Sequence, residues 1–255
     1  MSVDAEAGTG AALWAAVWLP PAEVGVRGTV VLLPGRGEPA SAYSRFGSRL
    51  AVDGYRVVAA SAQQLASQDL LRGAIRSEPA ADPLVVIGAD SGAATALALG
   101  PTAVLDGIAG VIVAGLAVPG AVVASRSWDE ELEARTACPV HRRRLSEDAG
   151  VVRGALWSGP ADPWSSAETS PETRPDPQVP VLALHGELDV VSPLPAARAV
   201  LDRLARARLM VVAGGRHDVL NDVHHRSVAA EIVQFLERLR LSADAAPILE
   251  STVGR

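Results

Sequence analysis

Gly88-Ala89-Asp90-Ser91-Gly92 is the stretch that decides how this chain is read. The apolar run Pro83-Leu84-Val85-Val86-Ile87 precedes it, and a helix-prone run from Ala93 to Leu99 follows. A strand, a tight turn of small residues and then a helix is the setting of a nucleophile elbow, in which one side chain stands out at the end of the strand. The backbone crowds the positions two before and two after that residue, so both must be small. Gly88 and Gly92 frame Asp90 in this way. Shifted by one, Ala89 and Ala93 frame Ser91, which stands as the alternative nucleophile.

Working outward, short apolar runs alternate with amphipathic segments, the rhythm of a mostly parallel α/β sheet flanked by helices. Strands are expected at Ala12–Trp18, Gly28–Leu33, Arg56–Ala60, Leu84–Ala89, Gly110–Ala114, Val181–His185 and Leu209–Val212. Helices are expected at Ser41–Asp53, Ser67–Ile75, Ser91–Leu99, Pro195–Ala205 and His225–Arg240, with Ser192 before Pro193 as a helix N-cap. Residues 118–178 break the rhythm, being richer in charge, tryptophan, serine and proline than their flanks. They read as a cap or lid inserted into a core made of residues 1–117 and 179–241, with 242–255 a loosely held tail.

Nearly half of the 255 residues are apolar, enough for a sizeable core. The net charge of −6 argues against nucleic acid and against an anionic membrane surface as partners. A single cysteine, Cys138, rules out an intrachain disulfide framework and a thiolate-rich metal site. Ala11 to Leu19 is apolar but short and follows acidic residues, so it reads as a strand and not a signal peptide. No run approaches the ~18 apolar residues of a membrane span. These features predict a cytoplasmic protein acting on a small molecule, with no cofactor and no metal.

In open α/β sheets, ligands bind outside the carboxyl ends of the strands. Three turns there carry candidate chemistry. At the elbow, Asp90 holds the nucleophile slot, and the Ser91 backbone N–H at a helix start points at a developing oxyanion. The bland reading makes Asp90 only the N-cap of that helix. In Leu33-Pro34-Gly35-Arg36-Gly37-Glu38, the Arg36 N–H is the candidate second oxyanion donor. Late in the chain, Asp189 in His185-Gly186-Glu187-Leu188-Asp189 and His217 in Gly214-Gly215-Arg216-His217-Asp218 supply an orienting carboxylate and a base. The order along the chain is nucleophile, acid, base. Within the cap, His141-Arg142-Arg143-Arg144 reads as a solvated face pairing with Glu130, Glu131 and Glu133, and otherwise as an attractor of an anionic substrate. Trp128, Trp157 and Trp164 line a pocket or pack onto the sheet.

These motifs together resemble the α/β-hydrolase superfamily, and within it the serine aminopeptidase and monoacylglycerol-lipase-like branch. Gly88-Ala89-Asp90-Ser91-Gly92-Ala93 is similar to that elbow. His185-Gly186-Glu187-Leu188-Asp189-Val190-Val191-Ser192-Pro193 resembles the acid turn, Gly215-Arg216-His217-Asp218-Val219-Leu220-Asn221 the histidine loop, and Pro34-Gly35-Arg36-Gly37-Glu38 the oxyanion loop. The resemblance covers roughly residues 25 to 115 and 180 to 240. It implies an α/β-hydrolase fold with Asp90, Asp189 and His217 as a triad. Two departures stand out: Pro34 where the branch has histidine, and Asp90 where it has serine. Haloalkane dehalogenases and epoxide hydrolases carry aspartate in that slot, usually followed by tryptophan, whereas this chain has Ser91.

A carboxylate has no proton to pass to histidine, and its attack on an ester carbonyl makes a mixed anhydride. Its attack on an alkyl carbon makes an ordinary ester that activated water cleaves. The residue type therefore favours halide or epoxide substrates, while the resemblance favours esters. The sequence predicts a cofactor-independent hydrolase of a small, largely apolar substrate. Its alternatives are a non-catalytic binding protein of this fold, and a serine esterase using Ser91.

Overall fold

The computed structural model describes residues 14–99, 107–118, 127–159 and 177–249. Seven strands form one sheet: β1 (Ala16–Trp18), β2 (Gly28–Leu33), β3 (Tyr55–Ala59), β4 (Leu84–Ala89), β5 (Ile108–Ala114), β6 (Val181–Gly186) and β7 (Ala207–Val212). Their spatial order is β1-β3-β2-β4-β5-β6-β7. Among the described residues, only the β1–β3 pair is antiparallel. β2, β4 and β6 are buried along their whole length, as expected of parallel strands covered on both faces.

Alternation along each strand divides the interior into two cores. Val30, Leu32, Val85 and Ile87 face one side, which α1 (Ser44–Val52) and α8 (His225–Leu241) cover with Phe46, Leu50, Phe235 and Leu239. Val31, Leu33, Val86 and Val111 face the other. There α3 (Gln68–Ser77) contributes Leu71 and Ile75, α4 (Ser91–Leu99) Ala93 and Leu97, and α7 (Leu194–Leu201) Leu201. A four-residue helix, α2 (Ala62–Leu65), follows β3 behind a Ser61–Gln64 capping box. Between β5 and β6 lie α5 (Trp128–Arg135), α6 (Pro139–Glu147) and a 3-10 turn at Ala155–Trp157. Among the described residues, no helix is long and apolar enough to cross a membrane.

β2, β4 and α4 have the bounds expected from sequence, and the other elements differ mainly at their ends. The first strand begins at Ala16, with Ala12 and Leu13 outside the described residues. The helix expected from Ser41 opens as a 3-10 turn, Ala40–Tyr43, before α1. The capping role expected of Ser192 does not occur. α7 starts at Leu194 with Pro193 at its N-cap and no side-chain cap, because the Ser192 hydroxyl accepts from the Val118 N–H instead, at 3.1 Å. Trp164 and most of Ser165–Gln178 also lie outside the described residues.

The chain runs outward from β2 to β3 on one side of the sheet and resumes with β4 on the other. β2 and β4 are thus neighbours whose following loops diverge, and this leaves a crevice at their carboxyl ends. The elbow after β4 sits there. Asp90 has φ 51°, left-handed backbone that costs a non-glycine residue about 1–2 kcal/mol and is kept where the surroundings over-determine it. A Cβ on Gly88 would lie 2.0 Å from the Gly92 carbonyl oxygen, and one on Gly92 would lie 2.2 Å from the Leu33 carbonyl oxygen. Gly88→Ala is therefore expected to cost about 3 kcal/mol or more, because rigid backbone on both sides cannot yield. Gly73→Ala, inside α3 with open space around the new methyl, is expected to stabilise by about 0.5–1 kcal/mol. Urea denaturation of the two variants beside the parent checks both signs.

Candidate active site

Four turns meet at the crevice. Asp90 comes from the elbow, Arg36 from the turn after β2, and Asp189 and His217 from the turns after β6 and β7. His217 Nδ1 donates to Asp189 Oδ2 at 2.8 Å, and Nε2 donates to Asp90 Oδ1 at 3.1 Å. Making both bonds requires a proton on each ring nitrogen, so the geometry holds an imidazolium between two carboxylates. Burial works against that charge. The charge and hydrogen bond of Asp189, followed by those of Asp90, outweigh burial and raise the His217 pKa to about 10.

Asp189 is fixed from both sides. Its Oδ1 accepts the backbone N–H groups of Val191 and Ser192 at 2.8 and 2.9 Å, while buried His185 flanks Oδ2 at 3.2 Å. Burial pushes its carboxyl up, but His217 and His185 hold it well below the usual carboxylate range. His185 is an addition to the set expected from sequence. It is the penultimate residue of β6 and spends its Nε2 on the Ser192 carbonyl at 2.7 Å, as well as facing Asp189.

Asp90 is 3% exposed and doubly clamped. Its Oδ2 accepts from the Arg36 backbone N–H at 2.8 Å and from Arg36 Nε at 2.7 Å, and Oδ1 accepts from Arg36 Nη2 at 2.6 Å. Burial alone would raise its pKa, yet His217 and Arg36 drive it far below the carboxylate range. The N–H read from sequence as an oxyanion donor is thus aimed at Asp90 itself. The Ser91 N–H has no hydrogen-bond partner among the described residues, and His217 spends its two ring nitrogens on Asp189 and Asp90 and makes no hydrogen bond to Ser91. What the sequence reading missed is the Arg36 side chain. Its signal was present, since an arginine beside a glycine turn in a crevice with a buried aspartate is a bidentate partner in waiting.

A second charged cluster underlies the first. Arg135 of α5 is fully buried and donates to the Arg36 carbonyl oxygen at 2.8 Å and to Glu131 at 2.9 Å. It also stands 3.3 Å from Glu38 and 3.8 Å from Asp218. His141 lies 3.5 Å from Asp218 and 3.9 Å from Glu38. The solvated face expected at 141–144 is therefore corrected: Arg142 pairs with Glu133 at the surface, but His141 and Glu131 are core residues. Burial lowers the His141 pKa, yet Asp218 and Glu38 raise it to about 9. Burial and the charge of Glu38 raise Asp218 to about 6. Glu38, His141 and Asp218 bring one ligand atom each within 4.8 Å of one another, a spacing that suits a cation. The Arg135 guanidinium already supplies positive charge at that point. Of the cap tryptophans, Trp157 packs with Ala134, Leu156 and Val191, and Trp128 packs on the core under the Arg153 guanidinium.

Comparison with known proteins agrees with this fold. A family model described as TAP-like protein matches residues 152–247. The structure of a soluble variant of monoglyceride lipase from Saccharomyces cerevisiae, bound to a substrate analog, superposes with a TM-score of 0.67 at 15% identity, over 87% of this chain and 90% of that one. The monoacylglycerol lipase of Paleococcus ferrophilus gives 0.64 at 20% identity, over 87% and 96%. The enol-lactonase of Burkholderia xenovorans LB400 gives 0.60 at 16%, over 87% and 95%. The chain is an α/β-hydrolase-fold protein. Its crevice is framed by the turns after β2, β4, β6 and β7, with Asp90 at the turn after β4.

Two outcomes follow from the charges. His217 has a folded-state pKa above its unfolded value of about 6.5, so its stabilisation is complete below that pH and is lost as pH rises through about 10. Urea denaturation from pH 6 to 10 should show stability declining, with a flatter decline in Asp90→Asn, which removes one of the two carboxylates. Arg135→Met leaves buried Glu131, Glu38 and Asp218 without their cation and is expected to cost about 3–5 kcal/mol by the same measurement.

Proposed function

We propose that this α/β-hydrolase-fold protein is a cofactor-independent hydrolase that forms a covalent ester on Asp90, with residues 118–178 as its cap. The observation that carries the reading is the Arg36 N–H, 2.8 Å from Asp90 Oδ2. In a serine enzyme that donor serves an oxygen of the substrate. Here it serves an oxygen of the nucleophile, which is where negative charge develops when water attacks an aspartyl ester.

In the first step Asp90 Oδ1 attacks an alkyl carbon of a small substrate, and the leaving group departs with the bonding pair. Esterification removes the Asp90 charge, so His217 keeps only one carboxylate partner and its proton affinity falls. In its neutral form it takes a proton from water while Asp189 holds its Nδ1–H. The resulting hydroxide attacks the Asp90 carbonyl carbon, and the oxyanion on Oδ2 meets the Arg36 N–H. Collapse releases the alcohol and restores the carboxylate.

A second reading, a binding protein without turnover, draws support from the Arg36 guanidinium, which covers both Asp90 oxygens at rest. Turnover in water enriched in heavy oxygen separates the two. The catalytic reading requires one Asp90 oxygen to exchange, detected by mass spectrometry of the peptide that contains it. Asp90→Asn should lower kcat by about 10³-fold or more with the fold intact, because a neutral amide of nearly the same shape is a poor nucleophile. A parent that hydrolyses no haloalkane, haloacid, epoxide or ester, beside an Asp90→Ser variant that gains esterase activity, would favour the binding protein.

A further inference from the structure

We infer that the substrate carries a carboxylate next to its reacting carbon, and that Arg36 is the residue that recognises it. The inference rests on Asp90 as nucleophile and adds the substrate class. Its origin is a conflict inside the site. Asp90 Oδ1 must be free to attack, yet Arg36 Nη2 sits on it at 2.6 Å, in a crevice where the arginine side chain is 13% exposed and the aspartate 3%.

Drawing the guanidinium off Oδ1 without a replacement anion leaves the Nη groups of a desolvated cation without an anionic partner, with only Nε still on Oδ2, which is costly. A neutral substrate offers no replacement. A carboxylate does, because it accepts from two guanidinium nitrogens at once. The Arg36 bonds are arranged for such an exchange. Nε and the backbone N–H hold Oδ2, so they need not move when Oδ1 is released. Among the described residues, Nη1 bonds only the Ser158 carbonyl oxygen, a neutral partner in the segment between β5 and β6. A substrate carboxylate on Nη1 and Nη2 would displace that carbonyl and Oδ1 together. The adjacent carbon would then lie beside the freed oxygen.

Charge supports the same class. At rest, Asp189, His217, Asp90 and Arg36 sum to zero. Alkylation neutralises Asp90 and leaves the site with one excess positive charge until His217 sheds its proton, and over that interval a bound carboxylate cancels it. For a 2-haloalkanoate the steps balance. Oδ1 bonds to the 2-carbon as the carbon–halogen bond breaks, and halide leaves with the electron pair. His217 sheds one proton to solvent, then takes one from water. The sum is haloacid plus water giving hydroxyacid, halide and a proton. The positive run at 141–144 has no part in this, because His141 is buried in the second cluster and Arg142 is paired with Glu133.

The test pairs chloroacetate and 2-chloropropionate with the neutral chloroacetamide, 2-chloropropionamide and 1-chloropropane. Halide release by the full chain is measured above the Asp90→Asn background. The expected result is a preference for the acids over the neutral compounds of roughly 100-fold or more in kcat/KM, the scale of a lost charge-assisted bidentate pair. Equal or better turnover of the neutral compounds overturns the inference and leaves Asp90 as nucleophile. Turnover of neither group counts against the nucleophile, and binding then decides the inference. Calorimetry with the Asp90→Asn protein, whose Arg36 has lost its carboxylate, should show acetate and propionate binding at least 10-fold tighter than acetamide and propionamide. Arg36→Met in that background should abolish the difference. No preference for the carboxylates in Asp90→Asn overturns the inference whatever the turnover result.

Discussion

The ion pair between Arg36 and Asp90 is the constraint on which the site depends. A carboxylate that is 3% exposed is costly to bury, by several kcal/mol, unless charge and hydrogen bonds meet both oxygens. Arg36 meets both, and His217 adds a third charged donor. The partners come from the turns after β2, β4 and β7, so the pair exists only if the sheet order is correct at the crevice. Serine in the elbow would need none of this, being neutral and small. Aspartate in that slot and arginine in the oxyanion loop are therefore one feature, and neither residue is explained alone.

The segment between β5 and β6 is bound to the same point. The Arg135 side chain holds the Arg36 carbonyl oxygen, and its backbone carbonyl accepts the Asp218 N–H at 2.8 Å. Val152 donates its N–H to the Gly37 carbonyl oxygen at 2.9 Å, and Glu131 accepts from Gly154. One buried arginine thus ties α5 to both the oxyanion loop and the histidine loop. Its charge is shared among Glu131, Glu38 and Asp218, so the tie is electrostatic and specific in direction where apolar packing would allow sliding.

Sequence exposed the parts of this structure that are local. Apolar runs of five to seven residues at Gly28–Leu33 and Leu84–Ala89 admit little besides buried strands. Gly88 and Gly92 mark the elbow because their missing side chains leave room for backbone within 2.2 Å of where a Cβ would stand. The convergence of Asp90, Asp189 and His217 was legible because each directly follows a strand. The side-chain roles of Arg36 and Arg135 were not. A guanidinium reaches too far for neighbouring sequence to say all that it meets: Arg36 finds Asp90 54 residues away, and Arg135, besides Glu131 one turn back on its helix, holds the Arg36 carbonyl 99 residues away. His141 and Glu131 sit in helices whose charge density reads as solvent-facing, and only the tertiary packing of α5 and α6 against Glu38 and Asp218 turns them inward. Ser192 was assigned to a cap on local grounds, and a contact 74 residues away took its hydroxyl.

The state of His217 then separates this site from the acyl-transfer chemistry common on the fold. A serine nucleophile needs a neutral histidine at the moment of attack, because that histidine must accept a proton. Two carboxylates on one ring make the neutral form the rare one near neutral pH. For a carboxylate nucleophile the order is reversed. A protonated ring does no harm to the first step, in which no proton is accepted from the nucleophile, and it steadies Asp90 in the geometry of attack. On the proposed route the neutral ring would be needed only after Asp90 had lost its charge, and that loss would lower the proton affinity of His217. In the proposed mechanism Asp90 would be both nucleophile and the group that sets when the base becomes available, a coupling that a serine in the same elbow has no charge to provide.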